Sequence, residues 1–381
     1  MKCYTESFPG NRTFAEFFAG IGLMRLGLEQ AGWECHFAND ICPDKFAMYK
    51  DNFPESDDHF RLGDIHNLKP QDVPTVALAT ASFPCNDLSL AGMRKGLAGS
   101  QSSAFWGFCE ILRGLGSRKP PIVLLENVGG FLTSRGGADI REALLALNGL
   151  GYVVDAFIID AERFVPQSRV RLFIIGHQFN DGVLDPQRFY ESPVRPRLLA
   201  DFIFSHPEIE WSIRDLPDLP KRQITLRDIL EDVDPNSKIW WSEERTNYLV
   251  SQMSERHSAV LKVLMGKRAW SYGTVFRRIR NGRSMAELRA DGIAGCLRTP
   301  RGGSGRQILI KAGYNKVQAR LLTPRECARL MGANEYKISC PLNQALFGFG
   351  DAVCVPVVKW IADNYLNPLA DRLSLPFAQL A

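Results

Sequence analysis

Nine cysteines are present, yet no two are spaced C-x-x-C, and their odd number and scatter offer neither a zinc knuckle nor a thioredoxin-like redox pair. Reduced thiols in a cytoplasmic protein are the natural expectation, with no metal site. No apolar run approaches the ~18–20 residues that cross a membrane, so no membrane partner is expected. The first residues, MKCYTESFPG, lack the apolar core of a secretory signal. Internal repeats and low-complexity tracts are missing too. Charge imbalance is slight at +4 over 381 residues, too little by itself to indicate a polyanion partner.

The distribution of charge says more. From Arg256 to Lys311 thirteen basic residues stand against two acidic ones, Glu287 and Asp291, so this stretch carries +11 and the remainder is net acidic. A basic segment on an otherwise neutral enzyme fits a polyanion-binding module. The length suits one large domain and a smaller one, and a monomer is expected.

Residues 12–180 alternate between strand-like and helix-like segments. Strands are predicted over Arg12–Phe18, Glu34–Asn39, Thr75–Ala81 and Pro121–Glu126. The last of these, PIVLLE, is apolar throughout, as a strand buried on both faces requires. Val153–Ile159 and Val170–Ile175 read as an antiparallel pair near a sheet edge. Helices are predicted over Leu23–Ala31, Asp44–Asn52, Ala104–Leu115 and Ile140–Leu150. Such alternation predicts an α/β fold built on a doubly wound, mostly parallel sheet. Residues 181–320, rich in Pro, Gly, Arg and Trp, read as a smaller domain with much irregular structure. In 321–381 regular helices return, the first opened by Thr323-Pro324. The expected division is therefore 1–180, 181–320 and 321–381.

The first strand runs into Phe17-Phe18-Ala19-Gly20-Ile21-Gly22, where Gly20 and Gly22 permit a tight turn and a close approach of backbone to a ligand. A dinucleotide fingerprint is not completed, because Arg25 occupies the place of the third glycine. That argues for a ligand without a pyrophosphate. Asp40, at the end of the second strand and followed by Ile41, is placed to take ribose hydroxyls. Asp64, followed by Ile65, suits an adenine amino group, and Phe18 can stack on the purine. S-adenosylmethionine needs this set of groups. The same glycines equally suit a plain turn joining strand to helix.

The third strand leads into Pro84-Cys85-Asn86, which puts a cysteine at the carboxyl end of a buried strand, where sites form in such sheets. Proline fixes φ and aims the residue after it. A cysteine is more often a small buried hydrophobe than a nucleophile, and that alternative stands for Cys85 on local grounds.

Six segments occur in order: FFAGIG, FPCNDLSLAG, LLENVGGF, VPQSRVRLFIIG, LLTPRECARLMG and GFGDAVCVPVV. Together they resemble the ordered motif set of the DNA (cytosine-5) methyltransferases, bacterial restriction-modification type, over about 12–176 and 295–365. The resemblance implies the class I methyltransferase fold, S-adenosylmethionine as methyl donor with S-adenosylhomocysteine as product, and double-stranded DNA as partner. It also implies a nucleoid-associated bacterial setting and a restriction endonuclease acting separately. Cys85 is the implied nucleophile toward C6 of a flipped cytosine, where it must act as a thiolate. Glu126 would hydrogen-bond N3 as an acid, its pKa raised beside apolar Val123–Leu125. Arg171 would reach O2, and Arg169, two residues away on the same side of a strand, would sit near the nucleophile and Glu126. Phe18, Gly20, Gly22, Asp40, Ile41, Asp64, Ile65, Pro84, Asp351 and Val353 would hold the cofactor.

Ser89, with Arg94 and Lys95 in the Gly- and Ser-rich stretch 92–103, would contact DNA from a closing loop. Gln167, Arg277, Arg278, Arg280, Arg298, Arg301 and Arg306 complete the expected DNA surface, the insert 181–320 being the target-recognition domain of the resemblance. Three departures from the family pattern are Asn86 where glutamine is commoner, Asp40 where glutamate is, and Gly-Asp-Ala at 350–352 for Gly-Asn-Ser. An RNA cytosine-5 methyltransferase and an inactive DNA-binding homologue remain as alternatives. The length of the insert speaks against the first, and the intact Cys85, Glu126, Arg169 and Arg171 against the second.

Overall fold

The computed structural model describes residues 12–83, 104–179, 190–299 and 305–373. Two compact units account for the chain. One comprises the residues up to Ile159 with Val170–Leu219 and Val357 onward; the other comprises Asp160–Arg169 and Pro220–Pro356. The expected boundary at 320 thus falls inside the second unit, and only the last part of 321–381 groups with the first.

The first unit is built on a seven-stranded sheet ordered β3-β2-β1-β4-β5-β7-β6. These strands are β1 (Thr13–Phe17), β2 (Glu34–Asp40), β3 (Phe60–Leu62), β4 (Leu78–Ala81), β5 (Ile122–Val128), β6 (Val153–Asp160) and β7 (Val170–His177). β3 is an addition to the expected set. β1 pairs in parallel with both β2 and β4, β2 with β3, and β4 with β5, whereas β7 runs antiparallel to β5. From β1 the chain winds outward to β2 and β3, then returns to place β4 on the other side of β1. The order therefore reverses between β1 and β4, and in such sheets the carboxyl ends beside the reversal form the ligand crevice.

The apolar run of β5 is buried from Ile122 through Leu125, as its lack of alternation requires. Helix α1 (Leu23–Glu29) follows β1, α2 (Pro43–Asn52) follows β2, α3 (Ala104–Leu115) precedes β5 and α4 (Ala138–Gly149) precedes β6. On α3 the buried positions Phe105, Phe108, Ile111, Leu112 and Leu115 recur at helical spacing, so one stripe faces the core. Phe108 meets Phe17 of β1 edge-on at 5.2 Å, and Phe17 in turn contacts Phe37 of β2.

The second unit holds more regular structure than its composition suggested. A four-stranded antiparallel sheet, ordered β11-β10-β8-β9, is formed by β8 (Ser271–Arg280), β9 (Arg283–Arg289), β10 (Ile308–Gly313) and β11 (Lys316–Leu321). Its apolar face, with Val275, Ala286, Leu288, Ile308, Ile310 and Ala319, shares one core with Leu249 of α5 (Glu243–Ser251) and Leu261 and Leu264 of α6 (Glu255–Met265). Helix α7 (Pro324–Leu330) starts where Thr323-Pro324 predicted. The Thr323 hydroxyl accepts from the Glu326 amide, and Glu326 accepts from the Thr323 amide at 2.9 Å.

Beyond it come α8 (Leu342–Asp351), α9 (Val355–Ile361) and α10 (Asn367–Leu373). Contrary to the sequence expectation, Leu342–Leu373 is long and apolar enough by composition to cross a membrane. Most of its apolar window is buried within the protein, and regular helix is interrupted at 352–354.

Candidate active site

Glycine is required where β1 meets α1. Gly22 has φ +80°, and a Cβ there would lie 2.5 Å from the Phe53 ring and 2.8 Å from Tyr49. Phe18 itself adopts φ 57°, a costly conformation for a bulky residue and one that over-determined sites retain. The turn is clamped by Asp40. One carboxylate oxygen accepts from the Gly20 amide and the other from the Cys42 amide, both at 2.8 Å. Each oxygen keeps a further lone pair, so the carboxylate has capacity for a ligand hydroxyl. Beside it Ile41 is 63% exposed and Leu62, at the end of β3, 46%, apolar surface of the kind that a purine covers. Asp64 accepts from the His66 amide at 3.0 Å. These residues fit the adenosine end of S-adenosylmethionine.

Two residues of this region do more than the sequence reading assigned them. The Ile65 side chain is buried in the core, packed where α3 has Gly107, so Ile65 can meet a ligand only through its backbone. Arg25 does more than break a fingerprint. It is buried, with its guanidinium 4.0 Å over the Phe53 ring, and it bonds Glu29 at 2.6 Å and the Tyr49 hydroxyl at 3.1 Å, besides pairing with Glu55. A third glycine would leave that aromatic and acidic cluster without its cation. Glu16 of β1, in the same charge cluster, is fully buried; desolvation pushes its pKa up to about 8, with Arg25 opposing.

At the carboxyl end of β5, Glu126 and Asn127 are both buried. Glu126 receives Arg171 of β7, Nε to Oε1 at 2.9 Å, with both side chains mostly shielded. The register makes this possible, because Val128 lies opposite Arg171 and Glu126 opposite Phe173. Val128 and Val170 leave apolar surface exposed at this same strand end. Asn127, which sequence reasoning passed over, donates from Nδ2 to the Phe83 carbonyl at 3.1 Å and accepts from the Val128 amide at 2.8 Å. It ties the strand that carries Glu126 to the last described residue before Pro84-Cys85. Its signal in the sequence was its place directly after Glu126. Pro84, Cys85, Ser89, Arg94 and Lys95 lie outside the described residues, as does Arg301.

The two arginines of QSRVR part company. Arg171 is the second residue of β7, while Arg169 precedes the strand and belongs to the second unit. Fully buried, Arg169 donates to the carbonyls of Leu297 at 2.9 Å and Gly350 at 3.1 Å, and to that of Ala352. The expectation of a side-by-side pair is thereby corrected: backbone carbonyls hold the Arg169 guanidinium, and Arg171 alone pairs with Glu126. Gly350 must be glycine for this packing, since a Cβ there would meet the Arg298 carbonyl carbon at 2.6 Å. Gln167 is corrected likewise. It is fully buried, donating to the Leu330 carbonyl at 2.7 Å and accepting from the Leu297 amide at 2.9 Å, which removes it from any DNA-facing surface.

Asp351 takes a hydrogen bond from the Thr299 hydroxyl, and Val353 is buried. Arg298 and Arg306 line one cleft with Leu297, Gln307 and Leu346, and Arg306 donates to Asn343 at 2.7 Å. Arg277, Arg278 and Arg280 stand on the β8–β9 hairpin.

Residues 12–367 match the family described as C-5 cytosine-specific DNA methylase. The Type II methyltransferase M.HhaI of Haemophilus parahaemolyticus is 30% identical over 357 residues, covering 92% of this chain and 93% of that protein. The Type II methyltransferase M.Bsp6I of Bacillus sp. (strain RFL6) is 27% identical over 357 residues, 92% of this chain and 97% of its own. Among solved structures, the S. pombe Dnmt2 methyltransferase superposes with a TM-score of 0.60 over 94% of this chain and 98% of that one; at 20% identity the likeness is one of fold.

Proposed function

Because this chain belongs to the C-5 cytosine-specific DNA methylase family and is a DNA (cytosine-5) methyltransferase, we propose the following division of labour among its own residues. Cys85 adds as a thiolate to C6 of an extruded cytosine, forming an S–C6 bond while the 5,6 π pair moves toward N3 and O2. Glu126 holds a proton at N3, which neutralises that charge and makes C5 nucleophilic. Arg171 orients Glu126 through Nε and presents the rest of its guanidinium to O2. Asn127 keeps the segment that enters Pro84-Cys85 in register with Glu126. S-adenosylmethionine, held by Phe18, Gly20, Gly22, Asp40, Ile41 and Asp64, supplies the methyl group at C5. Loss of the C5 proton to water, expulsion of the Cys85 thiolate and return of the N3 proton to Glu126 then restore the ring. The route asks for no metal.

The observation that carries this reading is the shielded Glu126–Arg171 pair at the end of β5, with Asn127 bound to the Phe83 carbonyl beside it. Duplex DNA containing 5-fluorocytosine tests it, because fluorine cannot leave as the proton does. The wild-type protein is expected to form a denaturation-resistant DNA adduct and Cys85→Ser none; an adduct undiminished in Cys85→Ser would overturn the assignment.

Target reading falls to the basic stretch Arg256–Lys311 within the insert 181–320. Relatives named type II methyltransferases support a modification role in which methylation of one sequence protects host DNA from a separately acting endonuclease. Bisulfite sequencing of DNA from cells expressing the protein is expected to return one methylated sequence; scattered methylation without a shared motif would count against that role.

A further inference from the structure

The β8–β9 hairpin is longer than the sheet that bears it. β10 pairs with β8 only over Ser271–Val275, so beyond Val275 the described ribbon has two strands, 276–280 and 283–287. Five residues of strand reach roughly 17 Å, enough to cross a major groove about 12 Å wide, which admits a two-stranded β-ribbon. The tip is the two-residue turn Asn281-Gly282, with φ 49° and 74°, the positive pair that matches the twist of a hairpin. At the base, the Ala286 amide donates to the Gln252 carbonyl at 3.0 Å, which anchors the arm to the body of its unit.

The two faces of the ribbon differ. Val275, Ala286 and Leu288 turn one face into the core. By alternation, Phe276, Arg278 and Arg280 of β8 and Arg283, Met285 and Glu287 of β9 share the other. Arg280 lies directly opposite Arg283, a like-charge pairing that costs stability and suits a polyanion partner. Glu287, the only acid on this face of the ribbon, binds both of its neighbours. It accepts from Arg280 Nε at 3.2 Å and Nη2 at 3.0 Å, and lies 3.3 Å from Arg278 Nε. Arg278 also stacks 4.7 Å over the Phe276 ring. Glu287 thus meets Arg280 at Nε and Nη2 and Arg278 at Nε, contacts that leave Nη1 and the outer N–H of Nη2 as a terminal fork. That terminal fork is the group that meets guanine O6 and N7 in pairs.

Resting on the DNA-methylase reading above, we infer that the ribbon enters the major groove of the recognised sequence, that Arg278 and Arg280 read guanines there, and that Glu287 is the positioning residue that aims them. The recognised sequence accordingly contains guanine. Arginine forks held this way discriminate by shape, whereas Arg283 and Arg277 contribute charge that any sequence satisfies.

The test compares paired DNAs that differ only in 7-deazaguanine, which lacks the N7 acceptor, at each guanine of the recognised site. For the wild-type protein, kcat/KM is expected to fall about tenfold or more at one or two positions, and at one of them to fall less than about twofold in Arg280→Ala. Glu287→Gln keeps the shape of the side chain and removes its charge. It is expected to relax the guanine preference while leaving the salt dependence of binding as steep as before, which mere loss of folding cannot do. Equal sensitivity of wild type and Arg280→Ala to the modified base, or an unchanged base preference in Glu287→Gln, would overturn the proposal. Each measurement is a ratio of rates for one enzyme on two DNAs, so its failure leaves methyl transfer standing; failure of transfer itself would appear with wild type on unmodified DNA.

Discussion

Two carboxylate–guanidinium pairs are given opposite tasks in the proposals above, and their surroundings differ accordingly. Glu126 and Arg171 are shielded, with 8% and 14% of their side chains exposed. Glu287 and Arg280 lie on a projecting arm, at 22% and 60%. A pair in water is worth little, about 0–1 kcal/mol, so the second can open and close around a base without endangering the fold. Little water shields the first, so its geometry is kept and its charges are strongly felt. A third pair, Arg320–Glu326, is buried at 2% and 0%. Its Glu326 also accepts from the backbone amides of Thr323 and Glu231 and thereby fixes the start of α7. On the proposed reading, one ionic motif serves catalysis, recognition or architecture according to how much water reaches it.

The largest effect separates the strand-end site from everything else. Cys85→Ser is expected to reduce methyl incorporation into duplex DNA to background while DNA binding persists in a gel-shift assay. Glu126→Gln comes next. It retains the hydrogen-bonding shape but cannot hold a proton at N3, and kcat is expected to drop about 10²–10⁴-fold with DNA affinity little changed. A drop under tenfold would show that burial of this pair serves packing alone.

For the third pair the readout is stability. Glu326→Gln strands the Arg320 cation inside the protein, and a loss of about 3–5 kcal/mol is expected in denaturant unfolding. The corresponding Glu287→Gln change on the arm is expected to cost less than about 1 kcal/mol, and a similar loss for both would break the comparison. On the arm itself, Arg277→Ala is expected to weaken DNA binding uniformly across sequences and to reduce the salt slope by about one.

A further effect concerns pH. Burial raises the folded pKa of Glu16 to about 8, so the folded state holds a proton that the unfolded chain releases near the ordinary value. Its contribution is full below the unfolded pKa and is lost as pH rises through about 8. Glu16→Gln is expected to flatten the fall of Tm between about pH 5 and 8; an unaltered slope would show that Glu16 titrates normally.

The sheet of the first unit was legible because its strands obey simple rules. PIVLLE reads as a strand buried on both faces, Glu34–Asp40 follows the Gly32 turn, and Thr13–Phe17 runs into the Gly20 turn. The second unit was not, because its strands spend their alternation differently. β8 reads SYGTVFRRIR, in which the outer half leaves the core and carries arginines on both faces. The pattern of a half-buried strand is absent there, although the pairing is regular. QSRVR shows a second limit. Period-two spacing put Arg169 and Arg171 on one side of a strand, but β7 begins only at Val170, and where an element starts depends on partners far along the chain. Burial decided Gln167 and Ile65 in the same way: each side chain goes to a contact distant in sequence, with Leu330 and with α3.

The Asn281-Gly282 turn sets a rule for how such an arm changes over generations. Side chains on a ribbon alternate, so inserting or deleting one residue in either strand turns every later side chain to the opposite face. A single-residue change in β8 would exchange Arg278 and Arg280 for Arg277 and Ile279 on the outward surface and scramble the contact with Glu287. Insertions in matched pairs, one residue pair on each side of the turn at a time, lengthen the arm and preserve its handed pattern. New target sequences should therefore arise in this lineage by substitution or by paired extension, and drift by single insertions should be purged.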